Sequence, residues 1–170
     1  MDDIAIRTIL PDDAAALREL RLEGLRENPL AFTADLSESE SHPMEWWRDL
    51  ATRGGGAGEL ILVADARGGL AGMTGVYLPK QPKLRHSGVI WGVYVRPAFR
   101  GRGIGEALIR STLDWARQRK LATVRLSVVA VNHSARRCYE RCGFEVYGVE
   151  PMAVQWEGKF YDEFLMVWRL

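Results

Sequence analysis

The stretch Val93-Tyr94-Val95-Arg96-Pro97-Ala98-Phe99-Arg100-Gly101-Arg102-Gly103-Ile104-Gly105 decides how this chain is read. An apolar run ends at a proline, a short turn rich in arginine and glycine follows, and an amphipathic helical pattern begins at once. That order predicts a strand delivering its end onto the N-terminus of a helix. A helix N-terminus presents unpaired backbone N–H groups and a partial positive charge, which together suit a phosphate. The glycines remove side chains that would hold an anion off the backbone, and they permit the positive φ that a tight phosphate turn needs. Arg100 and Arg102 can add charge-assisted hydrogen bonds to the same anion. The segment reads as a site for a phosphate or pyrophosphate group.

The elements on either side extend this reading. Residues 89–95 form the incoming strand, and residues 104–120 form a long helix with Ile104, Leu108, Ile109, Trp115 and Ala116 spaced for burial. Residues 124–131 are almost continuously apolar and β-branched, as expected of a strand covered on both faces. Strand, helix and strand over 89–131 make a βαβ unit, whose strands lie parallel with a right-handed crossover. Ligands of such sheets gather at the carboxyl ends of parallel strands. The glycine turn and Asn132 both fall at such ends, so two candidate features converge on one edge. A second crossover helix covers 133–142 and stops at Gly143.

Towards the N-terminus, residues 4–10 alternate as a strand, and Pro11-Asp12-Asp13 opens a helix with a stripe of Leu17, Leu20 and Leu25 that ends at Asn28-Pro29. Residues 30–42 read as a loop or broken helix. Residues 43–53 read as a short helix carrying Trp46 and Trp47. The glycines of 54–58 are a surface connection, since no helical pattern follows them. Residues 60–64 and 70–78 form a hairpin turning at 66–69. A basic loop over 79–85 leads back to the central strand, and 144–149 and 160–168 are two final strands. Without repeats or linkers, residues 1–170 read as a single α/β domain.

The chain has 170 residues, 47% of them hydrophobic, enough for one sizeable core. Lys and Arg total 23 against 22 Asp and Glu, a net charge of +1, which argues against general nucleic-acid binding. No window approaches the roughly 20 apolar residues of a membrane span, and Met1-Asp2-Asp3-Ile4 lacks the basic-then-apolar order of a leader. Cys138 and Cys142, four apart in a predicted helix, read as reduced thiols. With only His133 nearby they do not make a zinc set, and no metal is expected. A soluble, cytoplasmic protein is the expectation.

Arg100-x-x-Gly103-x-Gly105 after Val93-Tyr94-Val95-Arg96-Pro97, then Asn132, then Tyr139-Glu140-Arg141-Cys142-Gly143-Phe144, resembles the GCN5-related N-acetyltransferases. The order of elements agrees over nearly the whole chain. The resemblance implies a mixed, mostly antiparallel sheet with a central parallel pair that splays apart, and helices on both faces. It implies acetyl-CoA as donor and a primary amine of a small molecule or peptide as acceptor. The backbone of Val93, Tyr94 and Val95 would pair with the pantetheine arm like an added strand. The N–H groups of Arg100, Gly101, Arg102, Gly103, Ile104 and Gly105 would hold the pyrophosphate, and Asn132 would reach the arm. The Val95 N–H would stabilise the carbonyl oxygen as it gains charge, and Tyr139 would hand a proton to the departing thiolate.

Many relatives carry a glutamate on the strand before the glycine turn. Residues 87–95 contain no carboxylate, which leaves His86, acting through water, or water with backbone carbonyls, to deprotonate the amine. For the acceptor pocket the candidates are Phe32, Trp46 and Trp47, with Tyr161, Asp162 and Glu163 offering negative charge to an ammonium group. A non-catalytic acyl-CoA sensor of the same fold is the alternative. A mononucleotide site is disfavoured, because the turn lacks a closing Lys-Ser/Thr and continues with Glu106. The apolar final strand and surface tryptophans would allow a homodimer.

Overall fold

The computed structural model describes residues 4–170; Met1, Asp2 and Asp3, on which the leader was judged, lie outside the described residues. Seven strands form one sheet: β1 (Ala5–Thr8), β2 (Glu59–Ala66), β3 (Gly69–Tyr77), β4 (Ser87–Val95), β5 (Thr123–Val129), β6 (Glu145–Trp156) and β7 (Lys159–Arg169). Their spatial order is β1-β2-β3-β4-β5-β7-β6, antiparallel throughout except for β4 and β5. The helices are α1 (Ala14–Glu27), α2 (Leu36–Ser41), α3 (Met44–Arg53), α4 (Ile104–Gln118) and α5 (His133–Arg141). Among the described residues no helix is long and apolar enough to cross a membrane.

The alternation of β2 explains why there are two cores. Successive side chains of a strand point to opposite faces. Leu60, Leu62 and Ala64 join Leu108, Ile109 and Leu113 of α4 on one face. Ile61 and Val63 join Leu17 and Leu20 of α1 and Trp47 of α3 on the other. Leu17, Leu20, Leu108 and Ile109 are completely buried, each contributing about 1.5–3 kcal/mol of apolar transfer. Arg7 ties β1 to its neighbours by gripping Asp13 (2.6 and 2.9 Å) and Asp65 (2.7 Å).

Several elements differ from the sequence expectation. Residues 36–41 close into α2 because Asp35 caps them, its side chain accepting from the Glu38 N–H at 3.0 Å. The final hairpin is longer than expected, since Glu157 (φ 48°) and Gly158 (φ 75°) make a tight turn between β6 and β7. Lys120 takes a left-handed φ of 55°, which ends α4 two residues early.

The parallel pair positions the site. β4 and β5 are bonded only where Ser87–Val89 faces 123–125. Beyond that they part, β5 following β7 as far as Val129 opposite Glu163. On its other edge β4 carries a bulge: Gly92 and Val93 are accommodated against the single Thr74 between the Met73–Tyr94 and Gly75–Trp91 pairs. Gly92 sits at φ 67°, which a side chain would strain.

Candidate active site

The parting of β4 and β5 opens a cleft of about 470 Å³. One wall is β4 from Ile90 to Val95, the other is β5 from Leu126 to Val129 with Asn132 and the cleft face of α5. The glycine turn and the first residues of α4 close one end, and Asn28, Ala31 and Phe32 close the other. Ile104, Tyr139 and Ile90 belong to or pack with the α4 core, whereas Phe32 and Trp91 pack on the α1 core. The gap therefore runs through the sheet from one face to the other.

The backbone of β4 is prepared for a strand-like partner. The Arg96 N–H donates to Ala71 O of β3 at 2.9 Å. Backbone groups of successive strand residues point to opposite edges, so the Val95 amide faces the gap. The Val95 carbonyl accepts from Arg100 Nε at 3.0 Å. The N–H is left as the pairing group at this end of β4.

The turn has the anion geometry expected of it. Gly101 and Gly103 both lie at φ 76°, and a Cβ on either would meet no atom within 4 Å, so the space over the turn is open. Gly103 is the N-cap of α4 and offers no side chain; the first intrahelical bond runs from Ala107 N to Gly103 O at 3.0 Å. The amides of the first helical turn are left uncapped at the mouth of the cleft. Gly105 serves packing: a Cβ there would stand 3.6 Å from Cys138 Sγ on α5. Arg100, Gly101, Gly103, Ile104 and Gly105 all line the cleft; Arg102 instead lies over the Phe99 ring at 5.4 Å. These features fit a pyrophosphate.

On the facing wall Asn132 caps α5, its side-chain oxygen accepting from Ala135 N (3.2 Å) and the Ser134 hydroxyl (3.3 Å). Tyr139, seven residues on, lines the same cleft and is only 7% exposed, with its ring edge-on to Phe144 at 6.2 Å. Among the described residues no hydrogen bond reaches its hydroxyl. Burial, reinforced by Cys138 and Cys142, holds the phenol well above its ordinary pKa, so it keeps its proton across the neutral range. Cys138 also lines the cleft; its hydrogen bond with Cys142 and its burial push that thiol up, which keeps it protonated.

Val93, Tyr94, Val95, Asn132, Tyr139, Phe32 and the glycine turn are thus brought to one cleft. The other expected acceptor residues are not. Trp47 is 1% exposed inside the α1 core, because α3 turns its apolar side onto α1. Trp46 stacks on His42 at 4.0 Å. Tyr161, Asp162 and Glu163 lie on β7 between its two partners, and Asp162 is spent on the Met152 N–H at 2.8 Å. His86 is exposed at the closed end of the parallel pair. It lies four residues short of Ile90, about 13 Å of extended strand from the cleft wall. Among the described residues the only carboxylate lining the cleft is Glu106, in the first turn of α4 and paired with Arg141.

Four residues that the sequence reading did not single out complete the cleft and its backing. Gly92 shapes the bulge, and the Trp91 ring occupies the space over Gly75, where a Cβ would collide with it. Asn28 ends α1 in the cleft wall with its Nδ2 buried and unpartnered. Arg21 backs the wall behind Phe32 and Trp91. A glycine inside a strand was the one available signal; the other three depend on how α1 docks.

A parallel pair that opens over an uncapped, glycine-built helix mouth offers a free strand edge and unpaired amides that suit a phosphate-bearing ligand. The sequence of residues 18–144 matches the model of the acetyltransferase (GNAT) family, and the chain belongs to that family. It is 25% identical over 152 residues to mycothiol acetyltransferase of Renibacterium salmoninarum, covering 88% of this chain and 43% of that protein. The chain spans about half, or less, of the length of the curated relatives it matches. Its fold superposes on an acetyltransferase of the GNAT family from Streptococcus pneumoniae with a TM-score of 0.89 at 23% identity, covering 99% of this chain and 100% of that one. It also superposes on an acetyltransferase from Salmonella typhimurium solved with its cofactor acetyl-CoA, with a TM-score of 0.80 at 22% identity, covering 99% and 94%.

Proposed function

We propose that the chain, as one N-acetyltransferase domain over residues 1–170, moves an acetyl group from acetyl-CoA to a primary amine of a small molecule or peptide by direct attack in a ternary complex. The observation that carries this reading is the single cleft shared by the free β4 edge, the uncapped α4 mouth and Tyr139. Acetyl-CoA bound there supplies an activated acetyl thioester. The amides of Gly103, Ile104 and Gly105 hold its diphosphate, while the β4 edge around Val95 and the Asn132 side chain orient its arm. The Val95 N–H donates to the carbonyl oxygen as charge builds on it. Tyr139, kept protonated by burial, donates to the departing sulfur.

An alkylamine with a pKa of about 10 must lose a proton before it attacks. Among the described residues no free carboxylate or histidine lines the cleft, so water and the β4 backbone carbonyls carry this step. We place the chemistry in a reducing cytoplasm, in keeping with the two free cysteines. A homodimer would form through the β6–β7 hairpin, where Tyr147, Val149, Met152 and Phe160 are exposed.

The test is free-thiol release from acetyl-CoA over a broad amine panel. Amine-dependent thiol release with a matching acetylated product is expected. Acetyl-CoA binding without thiol release for any amine would make the chain the acyl-CoA sensor that the missing β4 carboxylate also suits.

A further inference from the structure

Behind the α1 side of the cleft lies a cation, Arg21, that among the described residues has no anionic partner. α1 docks on β4 through Gly24, where a Cβ would stand 3.1 Å from Tyr94 Cγ. One turn earlier on α1, this docking brings Arg21 over the bulge. The Arg21 guanidinium carbon lies 4.6 Å from the ring centre of Phe32 and 5.6 Å from that of Trp91. Its Nη1 is 3.4 Å from where a Cβ on Gly92 would be, an ordinary contact distance, so it is the φ of 67° that calls for glycine there. Phe32, Trp91 and Gly92 all line the cleft.

Nη1 is fully buried without a hydrogen-bond partner, and among the described residues Arg21 makes no ion pair. The α1 carboxylates are engaged elsewhere. Glu19 and Glu23 hold Arg96, each at 3.0 Å. Glu23 and Glu27 take the Tyr94 hydroxyl, also at 3.0 Å. Burial alone lowers the Arg21 pKa, to about 10, which leaves it cationic at neutral pH. Two aromatic faces offset part of that desolvation, but a buried charge without a counterion remains costly. The residue keeps partial exposure, and it backs the cleft behind Phe32 and Trp91 rather than lining it. The same wall carries a second unanswered donor, Asn28 Nδ2, seven residues along α1 and so on the same helix face.

We infer that Arg21 is a specificity residue for the acceptor, and that the acceptor is an amine bearing a carboxylate within a few bonds of its nitrogen, as an amino acid does. This rests on the transferase reading and narrows its substrate class. The carboxylate neutralises the guanidinium beneath Phe32 and Trp91 and leaves the amine facing the β4 edge. A carboxylate suits the planar fork of a guanidinium, and a neutral amide cannot supply the missing charge.

The experiment offers amines in pairs, each as free carboxylate and as carboxamide. One arm holds amino acids against amino-acid amides, the other tripeptides with free or amidated C-termini. Two readouts are taken: thiol release from acetyl-CoA, and calorimetric titration into protein saturated with CoA, where no turnover occurs. Wild type is expected to favour the acids by about 10- to 100-fold, mainly through KM and Kd. Arg21→Met should erase that preference while binding acetyl-CoA normally, and Arg21→Lys should keep part of it; thermal midpoints establish that both variants fold. The arm that responds identifies the source of the carboxylate. Equal use of acid and amide, or a preference untouched in Arg21→Met, overturns the assignment while leaving the transferase reading intact. Absence of thiol release with every amine overturns the transferase reading, and the calorimetric comparison of acid with amide then decides the role of Arg21 by itself.

Discussion

In the proposed reaction Tyr139 is the residue on which the chemistry turns. Its phenol is buried, unshared among the described residues, and raised in pKa. The sign follows: a raised pKa keeps the acid form at neutral pH and moves its loss above the ordinary tyrosine value of about 10. Tyr139→Phe should lower kcat by about 10²–10⁴-fold, with acetyl-CoA affinity unchanged in calorimetry. The wild-type rate should show no fall from phenol ionisation below pH about 10. Asp13 makes a different prediction, about stability. The Arg7 guanidinium and the Leu10 N–H hold its carboxyl below the usual carboxylate range. Its contribution is complete above the unfolded value of about 3.9 and fades as pH falls through the lower folded value. Asp13→Asn should cost about 1–3 kcal/mol at pH 7 in urea unfolding, and less at pH 3. Tyr139 and Asn132 are singled out through the family resemblance, and both line the cleft. That Trp46, Trp47 and His86 stand off the cleft is not written in their own segments, because nothing local says that α3 faces α1, or that His86 stands at the closed end of β4.

At the scale of elements, β4 does most to define the site. It is bonded to β5 only near its start, bulges at Gly92, and then delivers the glycine turn. The βαβ unit could be read from an apolar strand, an amphipathic helix and a second apolar strand. The extent of the splay could not, because it follows from where β7 holds β5. Nor could the end of α1, whose Arg21 and Asn28 enter the site through the close approach of Gly24 to Tyr94. Trp91 is seated by β3: its ring occupies the space above Gly75. Gly75→Ala must therefore displace that ring, at a cost of about 1–3 kcal/mol for overpacking. The expected outcome is a raised KM for the acceptor, a lower melting temperature, and an unchanged affinity for acetyl-CoA. Equal loss of both affinities would show that Trp91 serves the donor end as well.

On the scale of the whole molecule, two cores grip the sheet from opposite faces, and the cleft is the one place described where both reach the same opening. The donor can then lie on the α4 side with its diphosphate at the helix mouth, while the acceptor enters from the α1 side past Phe32 and Arg21. In the proposed reaction this division lets one sheet hold donor and acceptor together. Its central claim is that the backbone around Gly101 and Gly103 grips the diphosphate. The most direct test is calorimetric titration of acetyl-CoA into wild type and a Gly101→Asp, Gly103→Asp variant, whose added carboxylates oppose an anion over a turn that has room for them. The account predicts binding by wild type and a loss of about 100-fold or more in the variant, which still unfolds cooperatively but at a melting temperature lowered by the strain of side chains at φ 76°. Equal affinity in the two proteins, or no binding by wild type, would contradict it.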